Sequence, residues 1–207
     1  MAKCEKRVKT LLLDIGSVLL TNGWDRNARR EASLKFGFDH ETFESRHEDL
    51  FAIYEEGKIS LDFYLDKTLF YCKRRFSADE IKDFILSRSR AFPKTISLFK
   101  KIKIKYGPRM VSVNNEGLEL SLHRIKKFKL DSLFDFFVSS CFVHVRKPDE
   151  EIFRLALNMS FSRPEETVFI DDRIFNVETA KGLGINAFQH EDAESTRQKL
   201  SEYGLVI

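Results

Sequence analysis

Cysteine is scarce and scattered in this chain of 207 residues. Cys4, Cys72 and Cys141 make no CxxC pair and have no His pair nearby, which argues against a zinc site or a disulfide framework and for reduced thiols. Glycine-rich phosphate loops are missing too, since neither GxxxxGK(S/T) nor GxGxxG occurs. No apolar run approaches the roughly 20 residues of a membrane span. The basic start followed by apolar residues is broken by Asp14 with no small-residue cleavage pattern behind it, so it does not read as a signal peptide and a cytoplasmic location is expected. Charge of one sign is lacking as well: the net charge is +3, too mild to imply a nucleic acid or a membrane surface as partner. The basic run Lys100-Lys101-Ile102-Lys103-Ile104-Lys105 reads as a solvated helix end, where cations are favourable. Tryptophan is single; the 20 phenylalanines read as helix-face core residues with no base-stacking arrangement.

What is present is strand–helix alternation. Val8 to Leu13, Arg109 to Val113, Phe136 to Ser139, Thr167 to Ile170 and Asn186 to Phe188 read as short strands. Most are continuous apolar or β-prone runs, as expected when both sheet faces are covered. Helical patterns separate them: Pro93 to Lys105 up to Gly107, Leu118 to Phe128, Pro148 to Met159 with proline in its first turn, and Asn176 to Leu183 up to Gly184. The pattern predicts an α/β, Rossmann-like three-layer sandwich on a five-stranded parallel sheet. Trp24 to about Phe92 departs from it. Asp25 to Phe36, Glu41 to Tyr54, Leu61 to Tyr71 and Ala78 to Arg90 are all helical in spacing, with a capping box at Ser77-Ala78-Asp79-Glu80 and a break at Gly57 and Ser60. The expected organisation is a core of residues 1–22 and 93–207 with an all-helical cap, residues 23–92, inserted after the first strand.

Two of the strands end in acid. Val8-Lys9-Thr10-Leu11-Leu12-Leu13-Asp14 runs into the small-residue turn Gly16-Ser17, and Thr167-Val168-Phe169-Ile170 runs into Asp171-Asp172. Ligands of open parallel sheets bind at the carboxyl ends of strands. If these two strands are neighbours, three carboxylates meet at one edge, and their mutual repulsion calls for a cation such as Mg²⁺.

This set resembles the haloacid dehalogenase superfamily, in particular phosphatase-like members with a helical cap after the first strand. The resemblance covers nearly the whole chain through motifs in order: Asp14-Ile15-Gly16-Ser17-Val18; Val111-Ser112-Val113-Asn114-Asn115; Arg146-Lys147-Pro148-Asp149; and Phe169-Ile170-Asp171-Asp172 with Asn176 following. It implies a Mg²⁺-dependent hydrolase of a small phosphorylated metabolite, with a sugar phosphate as one candidate. Asp14 would be the nucleophile that becomes an aspartyl-phosphate. Asp14, Asp172 and the backbone carbonyl of Gly16 would hold the metal, and Lys147 and Asn114 would bind phosphate. Asp171, Asn176 and Asn115 would support them from behind. The family's second acid in the first motif is Gly16 here, which keeps the backbone ligand but removes a proton donor, a loss worth about 10²–10⁴-fold. Asn114 stands where Ser or Thr is usual and still offers a donor.

In the cap, Trp24, Asp25, Arg46, His47 and Tyr54 are candidate substrate contacts. Arg29 reads as a solvent-facing charge, and His47 as one possible substitute proton donor. Two other functions stay open. A metal-independent 2-haloacid dehalogenase would need no proton donor, so Gly16 would be harmless, and a non-catalytic phosphate-ligand-binding member would tolerate both Gly16 and Asn114. The oligomeric state is left open.

Overall fold

The computed structural model describes residues 8–207; Cys4 lies outside the described residues. The elements run β1 (Thr10–Leu13), α1 (Arg26–Phe36), α2 (His40–Glu55), α3 (Leu61–Thr68), α4 (Ala78–Ser87), α5 (Pro93–Tyr106), β2 (Arg109–Asn114), α6 (Leu118–Phe128), β3 (Phe136–Ser139), α7 (Ser140–Val143), α8 (Glu150–Met159), β4 (Thr167–Asp171), α9 (Ile174–Gly182), β5 (Asn186–Gln189) and α10 (Ala193–Glu202). The sheet is parallel throughout in the order β3-β2-β1-β4-β5. β1 is central, pairing Leu13 with Ser112 on one side and Ile170 on the other, so the acid-tipped strands are neighbours as expected.

Both sheet faces are apolar because both are covered. Leu11, Leu13, Met110, Val168 and Ile170 pack with Leu98, Phe99 and Ile102 of α5 and Leu200 of α10. Leu12, Val111, Val113, Val138 and Phe169 pack with Ile152, Phe153 and Ala156 of α8 and Val177 and Ala180 of α9. Each fully buried Val, Leu, Ile, Met or Phe among them contributes about 1.5–3 kcal/mol, and the result is the three-layer sandwich. No helix among the described residues is long and apolar enough to cross a membrane.

α1–α4 form a helical insertion after β1. Its buried residues, including Ala28, Ala32, Phe43, Tyr64, Leu65, Ile81 and Ile85, cluster together and meet the rest of the chain through Leu120 of α6. Much of the phenylalanine sits here as helix-face core, with Phe36 against Phe76 at 4.8 Å and Phe38 against Phe43 at 5.2 Å. Starts are capped locally: Asp25 accepts from Ala28 N, Ser60 from Phe63 N, and Ser77 with Glu80 completes the capping box.

Helix ends differ from the periodic reading where tertiary partners compete. α4 stops at Ser87, not Arg90, because residues 88–90 are drawn onto Thr21: Thr21 N donates to Arg90 O (2.8 Å), Thr21 Oγ1 to Arg88 O (3.0 Å), and Arg90 N to Thr21 Oγ1 (3.0 Å). α3 stops at Thr68, not Tyr71, and the Leu69 carbonyl is taken by Arg74 Nε at 2.7 Å. Pro148 lies outside α8; Asp149 is the N-cap and Glu150 the first helical residue. The lysines of α5 do lie at a helix end, where Lys103 Nζ bonds the Leu133 carbonyl at 2.7 Å.

Hydrogen bonds fasten the insertion to the core at the crossings, at the end of α2 and at the start of α3, where Leu61 N donates to Glu119 Oε1 at 2.8 Å. At the crossings, buried Arg124 of α6 donates to Thr21 O and Ser89 Oγ, each at 2.9 Å, and pairs with Glu116 at 2.5 Å. At the end of α2, Ser140 Oγ donates to Glu55 O (2.6 Å) and His144 Nδ1 bonds Glu56 O (2.7 Å). Gly57, at φ 65°, comes so close to α7 that a Cβ there would stand 2.4 Å from Cys141 O. Only glycine fits this approach.

Candidate active site

The cavity at the carboxyl ends of β1, β2 and β4 has a volume of about 330 Å³. Asp14, Gly16, Asn114, Asn115, Lys147, Asp172 and Asn176 line it from the core, and Trp24, His47 and Tyr54 from the insertion. Four motifs far apart in sequence therefore converge.

Asp14 follows β1, where its N–H still pairs with Ile170 O at 3.0 Å and holds the residue at the sheet edge. Its Oδ1 accepts from Ile15 N (2.8 Å) and lies 2.9 Å from Lys147 Nζ. Lys147 Nζ also donates to Asp171 Oδ2 at 2.6 Å. Asn115 fixes the lysine's backbone from both sides, its Oδ1 accepting from Lys147 N and its Nδ2 donating to Lys147 O, each at 2.8 Å. Asp171 is fully buried behind this pair. Asn176 Nδ2 donates to both its oxygens at 3.0 Å and Arg173 N to Oδ1 at 2.8 Å, so its acceptor capacity is largely taken.

Oxygens of Asp14, Asp171 and Asp172 lie within 4.8 Å of one another. Burial, helped by Asp171 and Asp172 and opposed by Lys147, pushes the Asp14 carboxyl up to about 7. Burial and Asp171 also raise Asp172, which is hydrogen-bonded by Ser17. For Lys147, burial works against the charge, but Asp14 and Asp171 outweigh it and hold the ammonium above its ordinary value. One ammonium against three clustered acids leaves room for a hard cation, and Asp14 and Asp172 are the acids with oxygens to spare. Asn114 Nδ2 is buried with no hydrogen-bond partner, in a wall of the same cavity. An orphaned donor beside a cation-ready acid pair fits a phosphoryl oxygen.

Gly16 leaves a gap, and Asn22 fills it. A Cβ on Gly16 would stand 2.5 Å from Asn22 Oδ1, while Asn22 Nδ2 donates to Ser17 Oγ at 2.8 Å. Asn22, Ser17 and Asp172 thus form a hydrogen-bonded row beside the nucleophile candidate.

The insertion residues differ from their sequence reading in three respects. Arg29 is buried, not solvent-facing: its guanidinium forks onto Glu44 (2.6 and 2.8 Å) and reaches Trp24 O (2.8 Å). Arg46 is absent from the cavity wall and instead caps the Lys67 carbonyl (3.0 Å) over the Tyr71 ring. His47 reaches the cavity but is a poor acid, because burial and Arg29, against Glu44, push it down to about 4. Tyr64 OH accepts from Trp24 Nε1 (3.0 Å) and shares a hydrogen bond with His47 Nδ1 (2.7 Å), which fixes the ring beside the cavity. Tyr54 lies against Gly117, where a Cβ would fall 2.1 Å from its ring. Asn22, Glu55, Glu116 and Arg124 also line the cavity, with no motif to mark them in the sequence.

A family model described as haloacid dehalogenase-like hydrolase matches residues 8–184. The chain belongs to this family. This haloacid dehalogenase-like hydrolase is 27% identical to D-ribitol-5-phosphate phosphatase of Bacteroides thetaiotaomicron, covering 94% of this chain and 97% of that protein. It is 28% identical to drimenol cyclase of Aspergillus calidoustus over 95% of its own length, but spans just 37% of that longer protein. Among solved structures, a HAD family enzyme from Bacteroides thetaiotaomicron superposes with a TM-score of 0.80 at 23% identity, covering 94% of this chain and 98% of that one. The magnesium complex of that enzyme gives a TM-score of 0.77 at 26% identity, covering 89% and 93%.

Proposed function

We propose that this hydrolase is a Mg²⁺-dependent phosphomonoesterase of small metabolites, sugar or polyol phosphates being the leading class. The observation that carries the reading is the unpartnered Asn114 Nδ2 in one cavity with Asp14, Asp172 and Lys147. A dehalogenase needs no metal and would leave Asp14, Asp171 and Asp172 clustered against Lys147. The likeness to a ribitol phosphate phosphatase over almost both full lengths supports the phosphate ester as substrate.

In this reading residues 23–92 are the cap and the remainder is the core. Asp14, Asp172 and the Gly16 carbonyl would hold Mg²⁺, which neutralises phosphoryl oxygens when bound. Asn114 donates to a phosphoryl oxygen, and Lys147 balances the phosphate while holding Asp14 in line. An Asp14 oxygen attacks phosphorus, the alcohol leaves, and water then cleaves the aspartyl-phosphate. Asp171, Asn176 and Asn115 keep Lys147 in register. Trp24, Tyr54 and the neutral His47 shape the alcohol side of the cavity and exclude water.

The test is phosphate release from a panel of sugar, polyol and aryl phosphates with Mg²⁺, comparing wild type with Asp14→Asn. Release by the wild type alone supports the reading. Release by neither overturns it, and tight phosphate-ester binding without turnover then identifies a binding protein. Chloride release from 2-chloro acids in a chelator identifies a dehalogenase.

A further inference from the structure

Glu55 is the last residue of α2, and its side chain is only 13% exposed. It lines the same cavity as Asp14, Lys147 and Asp172. Its Oε2 is paired with Arg146 Nη2 at 2.8 Å, while Arg146 Nε has no hydrogen bond. Oε1 has no protein hydrogen bond among the described residues. A carboxyl group half-sequestered this way, with one oxygen on a single arginine and the other without a protein partner, keeps acceptor capacity for a ligand in the cavity it lines. The backbone around it is fixed by Ser140 Oγ on Glu55 O and His144 Nδ1 on Glu56 O.

We propose that Glu55 is the catalytic acid–base of this enzyme, giving its proton to the leaving alcohol in place of the carboxylate that Gly16 lacks. The inference rests on the phosphatase reading. In the first half-reaction an Asp14 oxygen forms a bond to phosphorus and the bond to the alcohol oxygen breaks. The electron pair stays on that oxygen, which takes the Glu55 proton. In the second, Glu55 carboxylate removes one proton from water as the water oxygen bonds to phosphorus and the Asp14–phosphorus bond breaks. Hydrogen phosphate, Asp14 carboxylate and protonated Glu55 result, so protons and charge balance over the cycle.

The surroundings suit this task. Burial pushes the Glu55 carboxyl up to about 7, with Glu116 adding to it and Arg146 and Arg173 opposing. An acid balanced near neutral pH is protonated often enough to give a proton and acidic enough to release it. These three groups face it from the loops after β2, before α8 and after β4, and Arg146 stabilises the carboxylate once the proton has gone. A lone His47 cannot do this work, since it is neutral down to about 4.

The experiment compares wild type, Glu55→Gln and Arg146→Met on p-nitrophenyl phosphate and on an alkyl phosphate such as ribitol 5-phosphate, with Mg²⁺, over pH 5.5 to 9. Nitrophenolate leaves without a proton, whereas an alkoxide does not. The expected result is a loss of about 10²-fold or more in kcat/KM for Glu55→Gln on the alkyl ester, with aspartyl-phosphate formation from the aryl ester nearly unchanged in a single-turnover burst. The basic limb of the alkyl-ester profile, present in the wild type near neutral pH, disappears in Glu55→Gln and moves to higher pH in Arg146→Met. Equal loss on both esters, or no loss on the alkyl ester, overturns the role of Glu55 while leaving the phosphatase reading intact. A wild type inert toward both esters overturns the two together.

Discussion

Lys147 Nζ stands 2.6 Å from Asp171 and 2.9 Å from Asp14, so one buried ammonium serves two buried carboxylates. Its backbone is held between the two arms of the Asn115 carboxamide. Removing the ammonium leaves two uncompensated buried acids. Lys147→Met is expected to lower stability by about 3–5 kcal/mol in the absence of divalent cation, read as the urea midpoint at pH 8. Asn115→Ala, which frees the lysine without deleting it, is expected to cost less in stability and still lower phosphatase turnover.

Asp14→Asn is expected to abolish turnover and yet stabilise the fold at pH 8 in a chelator. The folded carboxyl is raised from 3.8 to about 7, so the folded chain keeps a proton that the unfolded chain has lost. Stability therefore falls as pH rises from about 4 to about 7, and above that window the wild type bears the whole cost, as much as about 4 kcal/mol. Thermal unfolding checks both parts: Mg²⁺ should raise the wild-type Tm, and leave Asp14→Asn nearly unmoved.

Restoring the missing acid by Gly16→Asp alone is expected to fail. The new Cβ would stand 2.5 Å from Asn22 Oδ1, and moving Asn22 breaks its bond to Ser17, which in turn holds Asp172. Gly16→Asp combined with Asn22→Gly opens the space, and a rise of about tenfold or more in kcat on alkyl phosphates over the single variant is the expected outcome. Equal turnover in the two would show that Asn22 is no obstacle.

His47 gives the fold an acid-side weakness. Its pKa is lowered from 6.5 to about 4, so between those values the unfolded chain binds a proton that the folded chain refuses. Stability is full above about 6.5 and declines by up to about 3 kcal/mol as pH falls toward 4. His47→Asn keeps a hydrogen-bonding partner for Tyr64 OH and cannot titrate, so its urea midpoint should lose less between pH 7 and pH 5 than the wild type does.

The sheet and the motif residues were readable in the sequence because parallel strands covered on both faces announce themselves as apolar runs, and because strand ends place Asp14, Asn114 and Asp172 by position alone. Other features depend on contacts between distant segments. Arg29 and Arg46 look alike in composition, yet one meets Glu44 inside the insertion and the other meets Tyr71 outside it. Glu55 beside Glu56 reads as a wet helix end, since nothing local says that Ser140 and Arg146 cover it. Asn22 resembles a turn residue until the gap over Gly16 is seen. Helix lengths erred for the same reason: Thr21 claims residues 88–90, which periodicity assigns to α4.

The raised pKa of Glu55 belongs to its burial where α2 docks against α7, with Arg146 opposing the rise, and not to the residue itself. A helix end that parts from Ser140 and His144 returns this carboxyl to water and to its ordinary value of 4.5, from about 7. Separation at neutral pH therefore releases a proton, and docking takes one up. The contact between insertion and core is therefore expected to weaken as pH rises from about 4.5 to about 7, a change that hydrogen exchange at Glu55 and Glu56 would read.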